Sequence, residues 1–311
     1  MAGSTTPTTA TTCSPFLDVL PPELRLHIYS HLLVASTPLK GQLARQDKEY
    51  DLHTAILRTN KQIHHEARSI FFGRNTFYIT SIPPTHPANH DPHSDDDEEE
   101  EEGSGAFEPP LQLRDLSLVR HVEIDLLYYP RSMQTIRDRR TGVWKPVCVG
   151  AQRYSTSLSY LLSAVETSLL SLKLCADTRR YVDEAKLCNS NTSTTTTGSG
   201  FGGPNKEKDD RLELQRVLTG FYMADANPLF RKALARIDVA NIALHFDFPE
   251  SYFDFVVAKK VLCSQSLVEL AGQVLGVRSI IRLEAAKQDS GEGNEVAREG
   301  PVTLIPGFAS I

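Results

Sequence analysis

The sequence predicts an α+β / α/β fold: a small helical module, then an α/β domain of irregular βα units, with disordered linkers. Three observations predict it. Residues 15–82 carry helical apolar periodicity with one short strand. Residues 111–286 alternate strand-like and helix-like segments. Two low-complexity runs, 83–110 and 189–210, break the pattern.

Residues 1–14 are rich in Thr, Ser, Ala and Pro and are expected to be disordered. Phe16 to Leu33 reads FLDVLPPELRLHIYSHLL. Pro21 and Pro22 suit the opening turn of a helix, where a missing N–H costs nothing. Glu23 adds negative charge at its positive end. At about 100° per residue, Leu24, Ile28, Leu32, Tyr29, Leu33 and Leu26 fill an apolar arc about twice the width that one core requires. Arg25 interrupts that arc. A helix this broadly apolar is expected to touch two bodies: its own module and a second one. The second body is the later domain or another protein.

A second helix is expected over Ala55 to Phe72, with one apolar stripe (Ile56, Ile63, Ala67, Ile70, Phe71) and a basic outer face (Arg58, Lys61, His65, Arg68). Gly73 offers a stop, Asn75 a turn, and Thr76 to Thr80 a short strand. Residues 83–110 (PPTHPANHDPHSDDDEEEEEGSGAFEPP) combine prolines, like charges and glycines, and are expected to be a disordered acidic linker.

In 111–286, Leu118 to Tyr128 reads as a strand with Val122, Ile124 and Leu126 on one face. Leu158 to Ser168 reads as helix and Leu169 to Ala176 as strand. Asp210 to Gly220 and Asn227 to Ala235 read as helix, Val239 to Phe248 as strand, Ser251 to Leu275 as mostly helix, and Val277 to Ala285 as strand. A largely parallel sheet follows, though the spacing is too irregular for a regular solenoid. Residues 287–311 form a weakly patterned tail.

Composition bounds the function. The chain has 311 residues, 40% of them hydrophobic, which suffices for a sizeable core. Its net charge of -6 is set by nine acids between Asp91 and Glu102; the remainder holds 30 acids against 33 bases, with no nucleic-acid footprint. Five scattered cysteines without a C-x-x-C suit a reducing compartment. There is no apolar run of about 18 residues and no basic start before an apolar stretch, so no membrane span or secretory leader is expected. The expected location is cytoplasmic or nuclear.

LPPELRLHIYSHLL followed by ILRTNKQIHHEARSIFFGRNTFYI resembles the fungal F-box-like family, over Phe16 to Ile79. In that family a Pro-Pro-Glu-Leu-Arg helix precedes an Asn-Lys/Arg-Gln-Ile-x-x-Glu-Ala helix and an Asn-Thr-Phe strand. The resemblance implies an adaptor that docks on a Skp1-type protein of a cullin ubiquitin ligase and presents a client protein. On matching positions Leu20, Pro21, Pro22, Leu24, Ile28 and Leu32 would face that partner. The loop from Val34 to His53 is longer than in an ordinary F-box, and RTNKQIHHE stands where a Val-Cys-Lys-x-Trp stretch is usual. The alternative is a stand-alone structural or regulatory domain whose first helix packs internally.

No catalytic residue and no cofactor is expected. The sequence lacks G-x-S-x-G, G-x-x-x-x-G-K-[ST], and a G-x-G-x-x-G between strand and helix. The reading is therefore not an enzyme, with no small-molecule substrate. No metal site is expected either. His64 and His65 are adjacent and point about 100° apart, so they cannot share an ion on one helix. His27 and His31 have i, i+4 spacing on the polar side, but no third ligand is visible in sequence, which favours surface histidines. His86, His90 and His93 read as solvated linker. Ser94, before Asp95, Asp96, Asp97 and Glu98, is a candidate for phosphorylation by an acid-directed kinase. Trp144 reads as a partly buried loop residue, and the acid run is a weak candidate to fold back onto Arg58, Lys61 and Arg68.

Overall fold

The computed structural model describes residues 14–42, 44–45, 50–82, 105–128, 134–137, 144–147, 149–177, 217–218, 220–248 and 251–274. Helices and a mixed parallel/antiparallel sheet make up the fold. The 1–13 segment, the acid run with Ser94, the 189–210 run, the expected strand at 277–285 and the 287–311 tail lie outside the described residues.

The front of the chain forms α1 (Pro15–Val19), α2 (Pro22–Leu33) and the two-residue strand β1 (Leu39–Lys40). Pro22 occupies the first helical position of α2, as its missing N–H allows. The expected second helix divides in two. Thr54–Arg58 is a 3₁₀ turn and α3 runs from Lys61 to Arg74. The break falls at Asn60, whose side chain accepts from the Gln62 amide and starts α3 afresh. Gly73 does not stop the helix; Asn75 ends it. β2 (Thr76–Ser81) follows as expected.

After the acidic segment come β3 (Phe107–Glu108), α4 (Leu113–Leu116) and β4 (His121–Asp125). β3 pairs antiparallel with β2, so residues 105–110, read as the end of a linker, belong to the fold. The Glu108 side chain lies where a Cβ on Gly41 would stand, at 2.3 Å, and its Oε1 accepts from the Ala44 amide at 2.9 Å. Only glycine permits that approach.

β5 (Gln134–Arg137) and β6 (Trp144–Val147) form a separate antiparallel pair, which puts Trp144 on a strand rather than in a loop. α5 (Val149–Val165) begins nine residues before the expected Leu158. Then come β7 (Ser171–Asp177), α6 (220–226), α7 (Pro228–Arg236) and β8 (Asn241–Phe248). β9 (Ser251–Ala258) contradicts the expected helix: it pairs antiparallel with β8 across a two-residue connection. SYFDFVVA is rich in aromatic and β-branched residues, which favour a strand. Helix resumes in α8 (Lys259–Ser264) and α9 (267–274).

The main sheet runs β1-β2-β4-β7-β8-β9, parallel from β1 to β8. Its strands add in chain order, always on the same side. With right-handed crossovers, the described connecting helices fall on one face. The alternation agrees. Val122, Ile124, Leu172, Leu174, Ile242, Leu244 and Phe246 enter one buried cluster with Tyr154, Leu158, Leu162, Phe230 and Leu234 of α5 and α7. The opposite face is polar. The Tyr78 hydroxyl donates to Asp125 at 3.3 Å, Lys173 stands 3.7 Å from Glu123 and 3.9 Å from Asp254, and His245 contacts Asp254. β2 thus joins the front residues to the later ones through one sheet.

Leu174, fully buried on the central strand β7, tests this layering. Leu174→Ala is expected to cost about 2–5 kcal/mol, read as a lower denaturant midpoint. Leu170→Ala, at a site 67% exposed, should change stability by less than about 0.5 kcal/mol. Equal losses would contradict the assigned faces.

Candidate partner-binding surface

α2 packs on α3 through a side that the apolar pattern alone does not select. Its buried residues are Arg25, Tyr29 and Leu33, one turn apart. With Ile63 and Ala67, Tyr29 and Leu33 form a second, smaller core, flanked by Phe16, Leu17, Leu32, Ile56, Leu57 and Ile70. Phe71 touches both this core and the large one, and stands edge-on to Phe72 and Phe77.

A buried arginine must find partners for its N–H donors. Arg25 donates through Nε to Glu66 Oε2 at 3.0 Å and through Nη2 to Glu66 Oε1 at 2.8 Å. Its Nη1 donates to the Leu17 carbonyl at 3.1 Å and to the Leu20 carbonyl at 2.7 Å. The guanidinium thus closes the C-terminal end of α1 while it joins α2 to α3. Glu66 also accepts from the Tyr29 hydroxyl at 3.1 Å and from Gln62 Nε2 at 3.0 Å.

These contacts shift the titration of all three groups. The Arg25 hydrogen bonds, opposed by burial, hold the Glu66 carboxyl down at about 2. Burial first, then the hydrogen bond to Glu66, pushes the Tyr29 phenol up to about 12. The hydrogen bond to Glu66 raises Arg25 further.

Asn75 completes the junction. It is buried, donates through Nδ2 to the Leu33 carbonyl at 2.6 Å and the Phe71 carbonyl at 2.8 Å, and accepts from the Ala35 amide at 2.8 Å. It therefore ties the ends of α2 and α3 together. Arg68, expected on a solvated basic face, pairs with the mostly buried Asp115 of α4 and donates to the Arg114 carbonyl.

With that stripe turned inward, the rest of the arc lies at the surface. Leu24 is 51% exposed and Leu26 38%. Pro21 and Pro22 are exposed, while Leu20, Ile28 and Leu32 are half-buried. Val19, which the sequence did not single out, is 75% exposed at the end of α1. The expected docking residues therefore share one helix and its approach. They divide into an exposed set (Pro21, Pro22, Leu24) and a half-buried set (Leu20, Ile28, Leu32), of which Leu32 packs against the small core. The sequence reading missed Arg25, Glu66 and Asn75 as organising residues. A signal was present: a lone charge within an apolar arc requires a buried partner.

The histidine candidates divide likewise. His64 Nδ1 lies 2.9 Å from the Leu57 carbonyl and the neighbouring Glu66 is engaged with Arg25, so both serve contacts within the chain, while His65 is exposed. Among the described residues, no group of three or more His, Cys, Asp or Glu could hold a metal ion. Nor is any helix among them long and apolar enough to cross a membrane. Comparison with protein-family models, curated proteins and solved structures finds no match.

The depressed Glu66 pKa fixes an acid limb. Its stabilisation is full above the unfolded carboxylate value of about 4.3 and is lost as pH falls toward about 2. Stability measured by denaturant from pH 5 to pH 2 should fall more steeply for the natural chain than for Glu66→Gln; parallel curves would contradict the pair. Asn75→Ala, which strands buried carbonyls, should cost about 1–3 kcal/mol in the same assay at neutral pH.

Proposed function

We infer that this protein is a non-enzymatic interaction adaptor in which α2 docks on a Skp1-type protein and the βα body presents a client protein. The single observation that carries this reading is the exposure of Leu24 beside Pro21 and Pro22, on a helix whose inner side is fixed by Arg25 and Glu66. An exposed apolar patch on a rigid helix is what a groove-forming partner requires. The likeness of LPPELR and NKQIHHEA to the F-box-like pattern supports a Skp1-type partner and a substrate-receptor role in a cullin ubiquitin ligase.

A second reading has its own support. Arg25, Asn60, Gln62, Glu66 and Asn75, all of them polar residues of the composite motif, bond within the chain. Leu32 packs against the small core. In this reading the motif is a building rule for a stand-alone structural or regulatory domain with no ligase role.

The two separate in one titration. The whole chain is needed, because β2 finds its partner β4 only beyond residue 82. Calorimetric titration with a purified Skp1-type protein should show binding, and Leu24→Asp should weaken it at least tenfold, since a carboxylate buried without a partner costs several kcal/mol. The thermal midpoint of that variant should match the natural chain, because Leu24 faces solvent. Absence of binding by the natural chain would remove the ligase role and leave the structural one.

A further inference from the structure

The polar edge of α2 carries a feature that docking does not use. His27 and His31 are both exposed and one turn apart. Their Nε2 atoms stand 3.1 Å from each other, with ring centroids 4.6 Å apart and planes at 88°. Without an ion the two nitrogens are within hydrogen-bond distance, donor and acceptor depending on the tautomer. The same two nitrogens can instead share a cation. At metal–nitrogen bonds of ~2.0–2.1 Å, a span of 3.1 Å subtends about 100° at the metal, between square-planar and tetrahedral angles.

We propose that His27 and His31 form a two-ligand site for a divalent transition-metal ion of the zinc, nickel or copper class on the outer surface of α2. Paired imidazoles select these ions over calcium and magnesium, which require oxygen donors. The helix presents the pair in a fixed register. Arg25, Tyr29 and Leu33 are buried on the inner side, so the backbone between the histidines cannot turn without breaking the junction with α3. The neighbouring hydroxyl does not compete: Ser30 Oγ donates to the Leu26 carbonyl and accepts from Arg74.

With no third His, Cys, Asp or Glu beside them among the described residues, the ion keeps positions for water or for a donor from a docked protein. His27 and His31 lie three and seven residues after Leu24, so the ion shares the side of the helix that bears the exposed leucine. Metal binding itself does not depend on the adaptor reading.

The test uses the whole chain with His86, His90 and His93 changed to alanine, which removes the linker histidines as competing donors. Calorimetric titration with Ni²⁺ should show one equivalent bound, and His27→Ala or His31→Ala should each weaken it at least tenfold. Electron paramagnetic resonance with one equivalent of Cu²⁺ should show two imidazole nitrogens in the parent and one in each single variant. Both positions are exposed, so circular dichroism of the variants should match the parent. No binding by the parent, or binding and Cu²⁺ spectra unchanged in both single variants, would overturn the proposal.

Discussion

The arrangement depends on the pairing of Arg25 with Glu66. Two charged groups withdrawn from water are costly unless every donor and acceptor is met. Here the guanidinium reaches both carboxylate oxygens and two carbonyls near the end of α1, and the carboxylate also receives Tyr29 and Gln62. The pair sets which side of α2 turns inward. Once Arg25 is inward, Tyr29 and Leu33 follow by helical geometry, and Leu24 and Leu26 are left at the surface. Val19 and Leu20 are placed by the same guanidinium, because it holds the end of α1. The surface of the front helices is thus a consequence of a polar contact beneath it.

The same contact connects to the rest of the molecule. α3 carries Glu66 inward, Arg68 toward α4 and Phe71 between the two cores, and then delivers the chain into β2. β2 is the second strand of a sheet that grows in one direction, between β1 and β4, so α3 lies in its first crossover and ties the front helices to the sheet. Single-direction growth places the described connecting helices on one face and leaves the polar row of Tyr78, Glu123, Lys173, His245 and Asp254 on the other. A doubly wound sheet would require apolar residues at those positions.

How far the sequence shows this depends on the period of each segment. β2, β4, β7 and β8 were legible because apolar residues alternate along them, as in Val122, Ile124 and Leu126. β9 was not, since Tyr252, Phe253, Phe255, Val256 and Val257 leave no alternation to read. The division of the second helix escaped because capping by Asn60 outweighs a periodicity that runs through it. At the front, the six residues expected to dock share α2 and its approach, a grouping legible in the local sequence, whereas the organising residues were not legible there. Helical-wheel logic scores Arg25 as an interruption, and only the position of Glu66, 41 residues later, turns it into a buried stripe. A long-range charge pair has no local period.

The most direct measurement of this account is a double-mutant cycle on Arg25 and Glu66 in the whole chain, read as chemical-denaturation midpoints at neutral pH. Arg25→Met alone and Glu66→Leu alone each leave a charge without its partner, and each is predicted to lower the midpoint. The double replacement leaves none, and is predicted to recover a large part of the loss. Losses that simply add would contradict the claim that this pair organises the front of the molecule.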